Sequence, residues 1–282
     1  MHPRRILTSR GHCGILPVAM LAMLLGPAAT GQDAPAASQD PTLPALLAEL
    51  DDLVKDRKME QDLQAIALVR RLASAPQAMH PKDHDRVARA LGAVFRTGRL
   101  RPVDRLQLYE ETAQALGTFG ADGAKELRKA AEDSRFGRDY VRFRATLIDN
   151  LGRTQDPKQV EWLLEQALRS PEDDIMAAGG GALGYHKEME LRQRRDVVKR
   201  LLVRWGELES KSSVPDNNNP GAPVNFGPQN ARATLGRVRA RWQGTLATLT
   251  GQNHRSFEDW QRWLNKNPDW TPPASAKPQR KG

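Results

Sequence analysis

Cysteine is almost missing from this chain: Cys13 is the single one. It sits ahead of an apolar run near the start, in a stretch that reads as a cleaved leader. Without it the chain has no disulfide, no thiol nucleophile and no thiolate metal site. Long hydrophobic runs are also lacking beyond that first one, so no integral span is expected once the leader is gone. No run of alternating β-branched residues is bounded by turns, which excludes a sheet of any size. A dominant charge is lacking too. The 43 Lys and Arg, less Arg4, Arg5 and Arg10 of the leader, leave 40 against 34 Asp and Glu, an excess of 6. Mixed charge of this kind reads as a solvated helical exterior with only a weak pull on polyanions.

The leader reading rests on residues 1–31. Arg4, Arg5 and Arg10 precede an apolar stretch from Gly14 to Leu25; Gly26-Pro27 breaks it, and Ala29-Thr30-Gly31 supplies small residues for cleavage before Gln32. Basic, apolar and small, in that order, is a secretory signal peptide. The apolar stretch is short of the ~20 residues that a spanning helix needs. Arg4-Arg5 raises a twin-arginine route, although the residues after it fit that signal poorly. Residues 32–41 are rich in Ala, Pro, Ser and Asp and read as a flexible linker.

From 42 to 270 the pattern is helical throughout. Leu43, Leu46, Leu47, Leu50, Leu53 and Val54 recur at steps of three and four. Met59, Leu63, Ile66 and Ala67 form a second stripe, Val87 to Phe95 a third, and Leu106 to Leu116 a fourth. Later runs include Val141 to Leu151, Val160 to Leu168, Val197 to Trp205 and Leu235 to Leu249. Ala115-Leu116-Gly117, Asn150-Leu151-Gly152 and Ala182-Leu183-Gly184 each end a run, with leucines 35 and 32 residues apart. The expected fold is all-α: an α-solenoid, or superhelix, of stacked antiparallel helix pairs, about eleven helices. Gly152 is expected as a left-handed helix cap. Asp156-Pro157 is expected to cap and open a helix. Residues 209–230 are expected as a disordered loop insertion, with helix resuming near Ala231, and 271–282 as a disordered tail.

These Leu-Gly ends, the Asp156-Pro157 turn and the Leu pairs at 163–164 and 201–202 resemble the HEAT-like repeat family, best over 103–206. The resemblance implies an antiparallel pair of roughly forty residues per repeat, stacked into a curved superhelix. Leu249-Thr250-Gly251-Gln252, followed by Phe257, Trp260 and Trp263, is similar to the segment that closes many exported bacterial HEAT-repeat proteins. Residues 256–270 are accordingly expected as a Trp-rich cap, with Ser256 and Asp259 as a helix-start pair. The Gly179-Gly180-Gly181 stretch, the 209–230 insertion and repeat spacings below the usual HEAT length depart from the pattern.

Candidate chemistry is thin. His80 and His84 have the spacing of two imidazoles on one helix turn, but Pro81 lies between them and no third ligand is near. His186 and His254 are isolated and read as turn or surface residues. Gly179-Gly180-Gly181 lacks the lysine and the preceding strand of a phosphate loop and reads as close helix packing or a helix break. Asp173-Asp174 read as first-turn acids, and Asp51-Asp52 as a solvated face. The most informative patch is Arg135 to Arg144. Arg135, Arg138 and Arg142 share a face if the helix starts early enough, with Phe136, Tyr140 and Phe143 between them, a set suited to anion recognition with stacking. Arg192 to Arg204 form a second basic stretch. Arg135, Arg138, Tyr140, Arg142, Arg195 and Lys199 are the candidate partner-binding residues.

The expectation is therefore an exported scaffold that mediates protein–protein interaction, periplasmic or secreted, monomeric, with no catalytic residues, cofactor or metal. The partner is an unidentified protein. The alternative is a module that binds an anionic polymer, whether acidic glycan, nucleic acid or anionic lipid surface, through a basic stripe. Some HEAT-like proteins are DNA glycosylases, but an export signal places this chain in the wrong compartment for that.

Overall fold

The computed structural model describes residues 42–74, 76, 79–215 and 226–272 of the chain, within the compact unit Pro41–Gly282. The leader (1–31), the linker (32–41), the middle of the expected loop and nearly all of the tail lie outside the described residues. Eleven α-helices and no strand are found among those described. They are α1 (Leu43–Val54), α2 (Asp62–Leu72), α3 (Pro81–Val94), α4 (Gln107–Leu116), α5 (Gly120–Ala131), α6 (Val141–Arg153), α7 (Val160–Arg169), α8 (Asp173–Ala182), α9 (Leu191–Ser212), α10 (Gly227–Thr250) and α11 (Phe257–Lys266).

Successive helices pack as pairs: α1 with α2, α3 with α4, α5 with α6, α7 with α8, and α9 with α10. The pairs stack into two rows. One row runs α2, α4, α6, α8, α10; the other consists of α1, α3, α5 and then α7, α9, α11. Between α5 and α7 the link includes the Arg128 guanidinium, 5.4 Å from the centre of the Trp162 ring. This is the solenoid-like all-α arrangement expected from the helix-period pattern. The core lies between the rows, where each helix turns its apolar stripe inward. Its centre is an aromatic group in which Phe95, Tyr109, Phe136 and Phe143 meet at ring distances of 5.0 to 6.0 Å.

Several local expectations change. In α2 the buried stripe is Ala65, Ile66, Leu68, Val69 and Leu72, and Leu63 is 73 % exposed. The core stripe is therefore rotated away from the one read in sequence, and Met59 stands outside the helix with a left-handed φ of 62°. Gly152 is not a cap: α6 continues through it to Arg153. A β-carbon there would lie 2.6 Å from the Ala182 β-carbon, so the glycine lets α6 and α8 approach closely. Gly117 does cap α4, but with right-handed geometry, and it faces Asn150 of α6. The left-handed cap is Gly251, at φ 72°, which ends α10. The expected loop is narrower than 209–230, because α9 extends to Ser212 and α10 starts at Gly227.

His80, weighed in the sequence only for its spacing to His84, caps α3, its ring accepting from the Lys82 N–H, with Pro81 at the first turn. Other expectations hold. Asp156 accepts from the Lys158 N–H at 3.2 Å ahead of α7. Ser256 accepts from the Asp259 N–H at 3.2 Å and starts α11. In α11, Trp260 is buried and stands edge-on to Trp263; Trp270 is buried behind it, and Phe257 meets Trp205 of α9. Trp260 and Trp270 are buried and Phe257 and Trp263 partly so, and the terminal aromatics cover the end of the α9 row.

Candidate functional site

The six candidate binding residues do not converge on one surface. Arg135 lies in the turn before α6, Arg138 and Tyr140 in a 3-10 turn, and Arg142 on α6; Arg195 and Lys199 belong to α9, in the other row. The early helix start that would align Arg135, Arg138 and Arg142 does not occur, since α6 begins at Val141. Arg135 is instead a tie. It pairs with Asp133 at 2.8 Å and donates to the Phe95 carbonyl at 2.7 Å. Its bonds hold the Asp133 carboxyl below the usual carboxylate range. The Tyr140 hydroxyl donates to the Arg101 carbonyl at 2.9 Å. Arg195 donates to the carbonyls of Asp269 and Trp270 and pins the segment after α11 to α9. Phe136 and Phe143 are buried in the core and unavailable for stacking. Arg138, Arg142 and Lys199 remain exposed.

The second basic stretch is equally engaged. Arg194 donates to the Lys187 and Met189 carbonyls. Arg200 pairs with Glu161 and Asp196, and Arg204 with Glu207. Only Arg200–Glu161 joins two helices; the other contacts lie within α9 or tie it to the turn before it, and the arginines so engaged do not form a free positive stripe.

The most developed surface feature runs along α8. Contacts between α8 and α10 advance in step: Asp173 with Thr234, Gly180 with Trp242, Gly184 with Thr245. The two helices are therefore parallel, and α6 joins the same set through Gly152 and Ala182. The outward edge of α8 is low because it carries Gly181, followed by Gly184 in the 3-10 turn beyond it. Larger side chains on α6 and α10 rise on either side. The result is a trough with two hollows. The first, about 420 Å³, is lined by Asp149, Gly181, Gly184, Tyr185, Lys187, Arg241, Thr245 and Thr248 among others. The second, about 430 Å³, is lined by Arg138, Val141, Pro171, Glu172, Asp173, Asp174 and Arg237. Both lie in the size range of ligand sites.

Arg241 separates the hollows. Its side chain leaves α10, passes 3.5 Å from where a β-carbon on Gly181 would stand, and reaches Asp149 on α6 at 2.5 Å. Burial pushes the Asp149 carboxyl above its ordinary value, against the opposite pull of Arg241 and Arg153. Beyond the strut, Arg153 stands 5.7 Å from the centre of the half-exposed Tyr185 ring. The second hollow is electrically more balanced. Glu172 pairs with Arg144, Asp173 accepts from Thr234, and Asp174 faces Arg237 at 3.8 Å.

Sequence reasoning missed Asp149, Tyr185, Lys187 and Arg241. Gly181 was the available signal, since an outward-facing glycine inside a helix marks a place that another group approaches. His186, read as a turn or surface residue, is in a turn but buried, near the buried Asp156. Burial lowers its pKa, with Asp156 pulling the other way. No group of three or more His, Cys, Asp and Glu side chains that could hold a metal is present among the described residues. Nor is any helix among them long and apolar enough to cross a membrane. No family model, curated protein or solved structure matches this chain.

Proposed function

We propose that this chain is an exported HEAT-like repeat scaffold, periplasmic or secreted, that binds a protein partner and performs no chemistry of its own. The observation that carries the reading is the open trough along α8, flanked by α6 and α10. It is elongated and lined by several repeats at once, as a surface that grips an extended partner requires. The repeat class has support of its own. Six of the ties between neighbouring pairs join residues a nearly constant distance apart in sequence, while Arg96–Glu126 at 30 and Arg144–Glu172 at 28 are shorter. The six are His84–Asp122 at 38, Asp62–Arg101, Arg101–Tyr140 and Glu161–Arg200 at 39, Phe95–Arg135 at 40 and Arg70–Glu111 at 41. That spacing is the roughly forty residues of a HEAT-like pair. The export reading is supported by the basic, apolar and small-residue order of residues 1–31.

The alternative, an anionic polymer held on a basic stripe, is weakened because most of the arginines of that stripe already pair with acids or carbonyls. A cross-linked pull-down of the processed protein from envelope extract, eluted in steps of salt, separates the two. A specific protein in near-stoichiometric amount, retained at high salt, supports the scaffold. Release at low salt of nucleic acid, acidic glycan or lipid alone overturns it, because polyanion binding is steeply salt-dependent.

A further inference from the structure

We propose that the hollow bounded by Asp149, Tyr185, Lys187 and Arg241 is a docking point for an acidic side chain, presented by an extended segment of the partner protein, which takes Arg241 from Asp149. The inference rests on the scaffold reading above and names the chemistry that the partner must carry.

Charge is the first argument. Arg153, Lys187 and Arg241 stand around this hollow against the single carboxylate of Asp149. Lys187 has no ion pair among the described residues, and Arg153 has only the Tyr185 ring and the more distant Asp149. In the second hollow Arg138, Arg144 and Arg237 are matched by Glu172, Asp173 and Asp174. The uncompensated positive charge of the trough is thus concentrated at one end. A uniformly anionic polymer laid along the trough would meet those three carboxylates. A peptide with one acid placed over the first hollow meets none of them.

The strut is the second argument. Arg241 is held across the trough by a carboxylate from its own chain, so the site already displays the interaction that it offers. Asp149 is a poor holder of its charge, because burial raises its pKa in spite of Arg241. An incoming carboxylate that remains partly in water does not carry that desolvation penalty, and Lys187 adds a second cation to it. Arg241 also has guanidinium donors left to take a second acceptor.

Shape is the third argument. The ten residues of α8 extend over ~15 Å, a length that about five residues of extended peptide match. Thr248 is exposed at the hollow, and Tyr185 gives it an apolar wall.

The test is a display library of short random peptides panned on the full chain. Binding of the recovered peptides is then measured by fluorescence polarisation with the wild type and with Lys187→Gln, Arg241→Gln and Asp149→Asn. The expected result is an acidic residue at a fixed position in the recovered peptides. Affinity should fall about tenfold in Lys187→Gln and in Arg241→Gln. It should rise several-fold in Asp149→Asn, which removes the internal competitor. Circular dichroism of each variant reports folding; Lys187 is exposed, so its variant keeps the test valid if Arg241→Gln unfolds. Peptides without a common acid, affinity indifferent to Lys187→Gln, weaker binding in Asp149→Asn, or no enrichment at all overturn the docking point. None of these touches the scaffold reading, which stands or falls on the pull-down.

Discussion

Arg241 of α10 reaches over Gly181 of α8 to pair with Asp149 of α6. Three successive helices of one row are therefore joined at one point, and the acid in the pair is the strained member. Its carboxyl ionises in the unfolded chain at its ordinary value but at a higher pH in the fold. The native state consequently holds its proton longer, and stability is lost as pH rises from the unfolded value through the folded one. Above that window the penalty is complete. Asparagine carries no such penalty. Asp149→Asn should equal or exceed the wild type in stability at neutral pH, and its advantage should shrink as pH falls toward about 4. Urea titrations across that range check this, and a neutral-pH loss of more than about 1 kcal/mol would sink it.

Gly180 faces Trp242 so closely that a β-carbon would stand 2.0 Å from the indole Nε1. Trp242 is fully buried and its Nε1 donates to the Met176 carbonyl, so the ring has little room to retreat. Gly180→Ala should lower stability by about 1–3 kcal/mol through overpacking. Gly236 and Gly244 of α10 have nothing within 4 Å of the same position. Alanine at either should stabilise by about 0.5–1 kcal/mol through helix propensity alone. Thermal melts of the three variants distinguish close approach from an unneeded glycine.

The fold class and the helix count were legible because apolar residues at steps of three and four mark a helix whatever it packs against. The phase of a short helix was less legible. In α2, Leu63 fits the sequence stripe as well as Leu68 does, and only the placement of α1 and α4 decides that Leu63 faces water. Leu-Gly ends were visible, but their meaning was not. A glycine near a helix end reads as a cap when seen alone, whereas Gly152 is explained by Ala182, thirty residues later. The trough was least legible. Asp149 and Arg241 lie 92 residues apart, and neither belongs to a local motif. In the basic patch at 135–144, composition alone could not tell Arg135, which ties two helix pairs, from Arg138 and Arg142, which stay exposed.

His186 gives a second test in pH, of opposite sign. Burial lowers its pKa in the fold, with Asp156 the opposing influence. The unfolded chain therefore takes up the proton first. Stability is retained above the unfolded value, near 6.5, and lost as pH falls from there through the folded value. His186→Gln should flatten that part of the stability curve, whatever it does to stability at neutral pH. Urea midpoints of the two proteins at about pH 7.5 and pH 5.5 are the measurement. An unchanged slope between those two points would assign the acid loss to other groups.

Arg101 is the clearest structural charge in the molecule. Its side chain is 1 % exposed, donates twice to Asp62 at 2.9 and 2.7 Å, and stands 5.2 Å from the centre of the Tyr109 ring. Its own carbonyl receives the Tyr140 hydroxyl, so three helix pairs meet at this one residue. Truncation leaves the Asp62 carboxylate half-buried without its partner. Arg101→Ala should therefore lose about 3–5 kcal/mol, the usual result of breaking a buried pair. Arg101→Lys should recover only part, since an ammonium cannot reproduce the two-pronged grip on the carboxylate. The double variant Arg101→Ala, Asp62→Ala should be less damaged than the sum of its single changes, because the second substitution removes the stranded charge. Urea unfolding of the four proteins gives the coupling directly. A coupling energy near zero would mean that Arg101 acts through its packing on Tyr109 rather than through Asp62.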